Sequence, residues 1–283
     1  MQSDGKLPTA MTRRRFLTAL SVAGVGSVLG VEGLVLGPHR LTVTRHSVTK
    51  SGGGAVKHLR IVQLTDLHLR RLGEYHERIA AEVNALDADI VVVTGDSIDQ
   101  RHRLDALATF LEWLDEGPQK YAILGNWERW IFGDDIAPLQ AIYASHGTRL
   151  LVNESVEHRQ QERSLLITGL DDYIGGEADY ESAVRDQPLP GNHLLLQHCP
   201  EFRDHLRATT WTPNLMLSGH THGGQVQVLG YAPVRPRGSG RYVEGWYRDR
   251  EPHLYVSPGL GTVIVPVRFG APPEIAVFDW VLA

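Results

Sequence analysis

The sequence predicts an α/β fold in which two β-sheets pack face to face between flanking helices. In the first half of the chain, short apolar runs alternate with helical patterns, which is the order typical of an α/β sheet. From Gln225 onward, β-branched and aromatic residues are separated by Gly and Pro, which favours a second sheet. The 283 residues suit one large domain or two small ones, and we expect a single domain over residues 41–283.

Five apolar runs are predicted to be strands buried on both faces, because they are short and continuous rather than alternating. They cover residues 59–64, 90–93, 121–124, 194–196 and 215–217. Helical patterns over residues 74–86 and 104–114 separate the first three runs, and each places its apolar residues on one face. A further helix is expected to begin near Asp134 or Asp135, with Pro138 in its first turn. In the β-rich part, residues 263–267 and 275–278 are expected to be strands of the second sheet.

Each of the five runs ends abruptly in polar residues, and the carboxyl ends of buried strands are where α/β sheets place their active sites. We therefore expect these polar side chains to meet at one edge of the fold. They are mostly imidazoles and carboxylates, with one amide, which together suit divalent cations. The candidate metal ligands are Asp66, His68, Asp96, Asn126, His198, His220 and His222.

The order of these clusters resembles that of the calcineurin-like metallophosphoesterases. The matching segments are Asp66-Leu67-His68, Gly95-Asp96, Gly125-Asn126-Trp127, His198 and Gly219-His220-Thr221-His222. The resemblance implies an α/β/β/α metallophosphoesterase sandwich holding two divalent cations (Mn, Fe or Zn). The first cation would take Asp66, His68 and His222, the second Asn126, His198 and His220, and Asp96 would bridge them. Asp96, His198 and His220 would also carry the catalytic roles.

The same resemblance implies a metal-dependent hydrolase of phosphoric esters or anhydrides. Residues 222–225 and 255–261 resemble a bacterial branch that has an N-terminal export or membrane segment. That branch is connected with phosphodiesterases, with UDP-diacylglucosamine pyrophosphatases of lipid A synthesis, and with the cell envelope. The expected substrate is therefore a phosphodiester or pyrophosphate, in a small molecule or a lipid. A phosphomonoesterase of the same fold and a noncatalytic envelope-binding protein are the alternatives.

Trp127 departs from the family pattern, which usually has a histidine after Gly-Asn. The indole has one N–H donor and cannot act as a general acid. One explanation is that the leaving group needs no protonation, as when a pyrophosphate is split. A second is that His193, His146 or His253 supplies the proton, and a third is that the protein mainly binds its ligand.

Three further residues are candidates for the substrate side of the site. Trp127 and Trp130 follow Asn126, on a segment expected to be an active-site loop. They are interpreted either as an apolar wall for an acyl chain or as a staple for the next helix. Arg268 is interpreted as a phosphate contact or, alternatively, as one half of a surface ion pair.

Residues 1–40 are expected to be a twin-arginine export signal or a membrane anchor. Arg13, Arg14, Phe16 and Leu17 resemble the twin-arginine pattern, and an apolar run follows from Ala19 with Glu32 as its only charge up to residue 37. Both interpretations place the main domain outside the cytoplasm, in the periplasm or cell envelope. Without residues 1–40 the chain has 23 basic and 31 acidic residues, a net charge of −8. We therefore expect no nucleic-acid partner.

Overall fold

A computed structural model describes residues 32–49, 58–160, 163–188, 191–206 and 212–282. Within these ranges twelve strands form two six-stranded sheets. The strands are β1 (Thr42–Thr49), β2 (Leu59–Leu64), β3 (Ile90–Thr94), β4 (Gln119–Ile123), β5 (Thr148–Leu150), β6 (Glu154–Gln160), β7 (Arg163–Gly169), β8 (His193–Leu196), β9 (Leu215–Ser218), β10 (Gly245–Tyr247), β11 (His253–Val256) and β12 (Glu274–Val281). The α-helices are α1 (Glu74–Asn84), α2 (Leu104–Glu112), α3 (Asn126–Phe132), α4 (Ala137–Ser145) and α5 (Tyr180–Val184).

The first sheet has the strand order β1-β12-β2-β3-β4-β5. Strands β2 to β5 are parallel, and Leu64 lies opposite Val93, which lies opposite Ala122. The carboxyl ends of β2, β3 and β4 therefore reach the same edge. β12 lies antiparallel to β2 and parallel to β1. The prediction that residues 275–278 belong to the second sheet is therefore wrong.

The second sheet has the order β10-β11-β9-β8-β7-β6. Its four central strands β7, β8, β9 and β11 are parallel, and the two edge strands are antiparallel to their neighbours. Leu196 lies opposite Leu217, so β8 and β9 also end level with each other.

The two sheets pack face to face around a buried apolar layer that includes Ile61, Val92, Leu194 and Leu215. A second apolar layer lies between the first sheet and helices α1, α2 and α4. A third covers the outer face of the second sheet, where Phe202 packs. The predicted two-sheet sandwich with flanking helices is confirmed.

Three local predictions need correction. Residues 263–267 do not form a strand. Val263 instead bonds to the Gln225 side chain, which accepts from the Val263 N–H at 2.8 Å and donates to its carbonyl at 3.1 Å. The segment after Asn126 is the short helix α3 rather than a loop. Helix α4 begins at Ala137 instead of Asp134 or Asp135, although Pro138 does lie in its first turn.

The chain enters the described part through a π-helical turn at Glu32–Leu36 and a 3₁₀ turn at Gly37–His39. Residues 1–31, which carry most of the predicted export signal or anchor, lie outside the described residues. Among the helices that are described, none has the length and apolar character needed to cross a bilayer.

Candidate metal centre

Five of the seven candidate ligands have left-handed backbone conformations. Asp66, His68, Asp96, His220 and His222 have φ angles of 52°, 45°, 53°, 73° and 52°. Such angles are uncommon for residues other than glycine, and they concentrate at functional sites. Cross-loop bonds hold them: the Asp66 N–H donates to the Gly95 carbonyl at 3.0 Å and the His68 N–H to the Asp96 carbonyl at 2.9 Å. The loops after β2 and β3 are therefore fixed to each other.

One buried group of donors consists of Asp66, His68 and His222, whose ligand atoms lie within 4.8 Å of one another. The Nε2 atoms of His68 and His222 are 3.2 Å apart, and the His222 Nε2 lies 3.3 Å from the Asp66 Oδ1. The Nδ1 atoms of both histidines are buried without a hydrogen-bond partner. The family resemblance implies that these three residues share one cation, and the structure places them together.

A second buried group consists of Asp96, His198 and His220. The His198 Nε2 lies 3.3 Å from the His220 Nδ1 and 3.1 Å from the Asp96 Oδ2. The remaining ring nitrogens face carbonyl oxygens, of Thr94 for His198 at 2.8 Å and of Arg237 for His220 at 2.7 Å. A carbonyl oxygen only accepts, so each of these nitrogens carries a proton, and in the neutral ring the opposite nitrogen turns a lone pair inward.

Asp96 joins the two groups. Its Oδ2 lies 3.1 Å from the His198 Nε2 and 3.7 Å from the His68 Nε2, while its Oδ1 accepts the Trp127 N–H at 3.0 Å. The carboxylate is thus held by the first turn of α3 and presents one oxygen to both groups, which is the position of a bridging ligand.

The donor set fits divalent cations. Two imidazole nitrogens facing each other at 3.2–3.3 Å would repel through their lone pairs unless a proton or a cation lay between them. Nitrogen ligands around a tetrahedral cation such as zinc are separated by about 3.3 Å, given bonds of about 2.0–2.1 Å. The amide Oδ1 of Asn126 is also buried without a hydrogen-bond partner, as expected for a side chain that would bind a cation.

Burial keeps three of the four histidines in the form that binds metals. It lowers the pKa of His68 and of His220 to about 4 and that of His222 well below its usual value. These rings are therefore neutral at pH 7, and the neutral imidazole is the ligand form. For His198, burial opposes the charged form, but the Asp96 and Asp66 carboxylates outweigh it and raise its pKa well above the usual value.

Glu128 is an important residue that the sequence interpretation missed. Its buried carboxylate accepts the N–H groups of Asp96 at 3.0 Å, Ser97 at 2.6 Å and Gly125 at 2.9 Å. It therefore connects the loop after β3 to the first turn of α3. Burial raises the pKa of Glu128 to about 7, and the charge of Asp96 adds to this rise. A Glu three residues after an N-cap position is the signal that predicts such a contact.

The two tryptophans stand beside the donor groups. The Trp127 ring meets the His68 ring edge to face, with centroids 5.8 Å apart, and the Trp130 ring lies 5.6 Å from that of Trp127. Both line an open cleft of about 680 Å³ that starts at Asp96 and Asn126. Both rings therefore lie where the cleft meets the donor groups.

Arg268 does not occupy either predicted position. The side chain is fully buried, and its guanidinium donates to the backbone carbonyls of Pro258, Gly259, Gly261 and Ala271. A phosphate contact and a surface ion pair are therefore both wrong for this residue. These backbone carbonyl oxygens point inward, and the N–H groups of the planar guanidinium donate hydrogen bonds to them.

Comparison with known proteins agrees with the donor geometry. A family model described as calcineurin-like phosphoesterase matches residues 59–224. Metallophosphoesterase YkuE of Bacillus subtilis is 32% identical, over 95% of this chain and 97% of that protein. Phosphodiesterase YaeI of Escherichia coli is 28% identical over 96% of this chain and 100% of its own length.

A bovine relative shares the same domain within a longer protein. It is the transmembrane protein with metallophosphoesterase domain of Bos taurus, 29% identical over 93% of this chain and 62% of that protein. The family match covers more than half of the present chain and includes the residues of both donor groups. The chain therefore belongs to the calcineurin-like phosphoesterase family and is a metal-dependent phosphoester hydrolase.

Proposed function

We propose that the protein uses two divalent cations to hydrolyse a phosphodiester or pyrophosphate bond in a substrate of the cell envelope. The observation that carries this proposal is the position of Asp96, whose Oδ2 faces an imidazole nitrogen of each donor group. A phosphodiesterase among the relatives supports the choice of bond.

The chain's own residues position the reaction. When bound, two such cations neutralise phosphoryl oxygens and lower the pKa of a water molecule. His198 and His220 have one nitrogen committed to a carbonyl and the other to the donor groups. We therefore assign them to holding the cations, and no ring nitrogen of either residue is left to carry protons to the substrate.

The leaving-group side supports an anhydride or an ester whose leaving group is a stable anion. Trp127 stands where the family pattern usually has a histidine, and the indole cannot act as a general acid. None of the three histidines considered as substitutes lines the cleft. His193 and His253 begin strands β8 and β11, whose opposite ends face the site, and the His146 Nδ1 contacts the Ile142 carbonyl at 2.9 Å. A substrate with a stable leaving group needs no such donor.

We further propose that the domain acts outside the cytoplasm, exported by the twin-arginine route or anchored by its N-terminal segment. The paired Arg13 and Arg14 before an apolar run support this, and a bovine relative is described as a transmembrane protein. Such a location favours an envelope lipid or lipid A precursor as the substrate.

The test is hydrolysis by the full chain loaded with Mn, Fe or Zn. Bis(p-nitrophenyl) phosphate and p-nitrophenyl phosphate are the paired substrates, and a chelated sample is the control. We expect chelator-sensitive turnover of the diester and much weaker turnover of the monoester. Turnover of the monoester alone would overturn the choice of bond.

A pair of matched variants tests the bridging role. Asp96→Asn should remove activity and weaken the binding of both cations, measured by metal analysis after dialysis. Asp186→Asn makes the same change on an exposed residue and should retain metals and turnover. Full activity in Asp96→Asn would refute the two-cation mechanism.

A further inference from the structure

A group of exposed apolar side chains borders the cleft, and we call it the apolar rim. Its most exposed members are Leu229, Tyr231, Val234 and Ile264, at 103%, 70%, 72% and 81% relative exposure. Isolated apolar residues on a surface are ordinary, but a contiguous group marks a surface that meets another apolar phase.

Backbone bonds connect the two loops that carry the apolar rim. The Gln227 N–H donates to the Phe269 carbonyl at 2.7 Å, and the Phe269 N–H donates to the Gln225 carbonyl at 2.8 Å. These bonds place the loop of residues 225–234 beside that of residues 263–269. Val234 and Ile264 line the same cleft as Asp96, so the apolar rim is continuous with the cleft that contains the donor groups.

The N-terminal segment contacts the fold next to the apolar rim. The Arg268 N–H donates to the Gly33 carbonyl at 2.8 Å, and Leu34, Val35 and Leu36 beside it are 55–57% exposed. Thirty-one residues precede Glu32, and they carry the apolar run that starts at Ala19. A bilayer that holds this run would therefore meet the chain next to the apolar rim.

The charged residues around the apolar rim also suit contact with an anionic membrane. Residues 225–238 and 261–272 contain no Asp or Glu, and Arg235 and Arg237 are exposed at the border of the rim. An apolar centre flanked by arginines matches acyl chains beneath anionic headgroups.

We propose that the apolar rim docks on a phospholipid bilayer and that the substrate is an amphiphilic phosphoester drawn from it. The acyl part would lie along Ile264 and Val234, with the phosphate at the Asp96 end of the cleft. The substrate part rests on the proposed function, whereas the docking part does not.

Fluorescent labels on the full chain test the docking. Leu229→Cys and Ile264→Cys are labelled with an environment-sensitive dye, and Glu116→Cys is the control on an exposed loop at the amino-terminal end of β4. The native Cys199 is buried and remains unlabelled. On vesicles of phosphatidylethanolamine and phosphatidylglycerol, we expect a blue shift and quenching by brominated lipid at 229 and 264 but not at 116.

Several outcomes would overturn the docking. One is a chain that binds vesicles while the labels at 229 and 264 stay as water-exposed as that at 116; another is a chain that does not bind vesicles. A blue shift that appears without vesicles and grows with protein concentration would assign the rim to a second copy of the chain.

Turnover tests the substrate class. Leu229→Asp combined with Ile264→Asp should lower the ratio of vesicle-borne to soluble diester hydrolysis by about tenfold or more, because each substitution removes apolar burial and repels anionic lipid. Gln100→Asp combined with Gln140→Asp adds the same charge at exposed sites and is the control; circular dichroism checks that both proteins fold. An unchanged ratio refutes the substrate class. If the unaltered chain hydrolyses neither substrate, the proposed function fails, while the labels still decide the docking.

Discussion

Replacing Glu128 with Gln should destabilise the protein although the side chain keeps its size. The carboxylate accepts four N–H groups: Asp96 and Gly125 bond to Oε2 at 3.0 and 2.9 Å, and Ser97 and Ile98 bond to Oε1 at 2.6 and 3.3 Å. Gln can offer one oxygen to one of these pairs. Its amide nitrogen would face the other pair, donor against donor.

The size of the effect follows from these contacts. Two buried donors without acceptors cost about 1–3 kcal/mol each. Part of this is offset because the substitution also removes a buried charge, whose burial raises the pKa of Glu128 to about 7. We therefore expect the free energy of unfolding to fall by about 2–4 kcal/mol. The loss should be visible without metals, because the contact lies outside both donor groups.

The assay is urea unfolding of the metal-free full chain, followed by circular dichroism. Glu154→Gln is the matched control, since Glu154 forms an exposed ion pair with Arg149 at 3.2 Å, and such pairs contribute about 0–1 kcal/mol. If Glu128→Gln unfolds at the same urea concentration as Glu154→Gln, the four N–H bonds do not hold the site together and the reasoning is wrong.

Trp127→His should raise turnover of glycerol 3-phosphate, whose alkoxide leaving group needs a proton, by about tenfold or more because it supplies a proton donor, and Trp127→Phe should not. Equal rates for the two variants would contradict this reasoning. Arg268→Ala should lower the free energy of unfolding by about 3–5 kcal/mol, because the carbonyls that bind its guanidinium lose their donors. The exposed Arg235→Ala is its control, and a loss below about 1 kcal/mol for Arg268→Ala would count against the contacts. His222→Ala should retain one cation fewer per chain by elemental analysis and should gain less thermal stability on metal addition; unchanged stoichiometry would remove His222 from the ligands.

The candidate donor residues could be recognised in the sequence because each follows a continuous apolar run. Runs of this kind form buried parallel strands, and parallel strands end at a common edge. The loops carrying Asp66 and Asp96 needed no long-range information to be recognised. Their pairing into separate groups came from the resemblance to a family, since residue spacing alone does not bring His222 beside His68.

What the sequence could not predict depends on contacts between distant segments. β12 has the apolar pattern of any buried strand, and only its pairing with β1 and β2 places it in the first sheet. Residues 263–267 have strong β propensity, yet Val263 bonds to the side chain of Gln225 and Ile264 is exposed. Arg268 is buried although arginine is usually exposed, because inward-facing carbonyls surround it.

Because five of the donor residues have a left-handed backbone, the residue types best for metal binding there differ from those best for stability. Each such residue adds local strain, so a search for thermostable variants would be expected to select Gly or Asn at His68 or His220. Those variants would relax the loops and lose an imidazole in the same step. Directed evolution for heat resistance alone would therefore tend to erode this site, and selections should be coupled to metal retention.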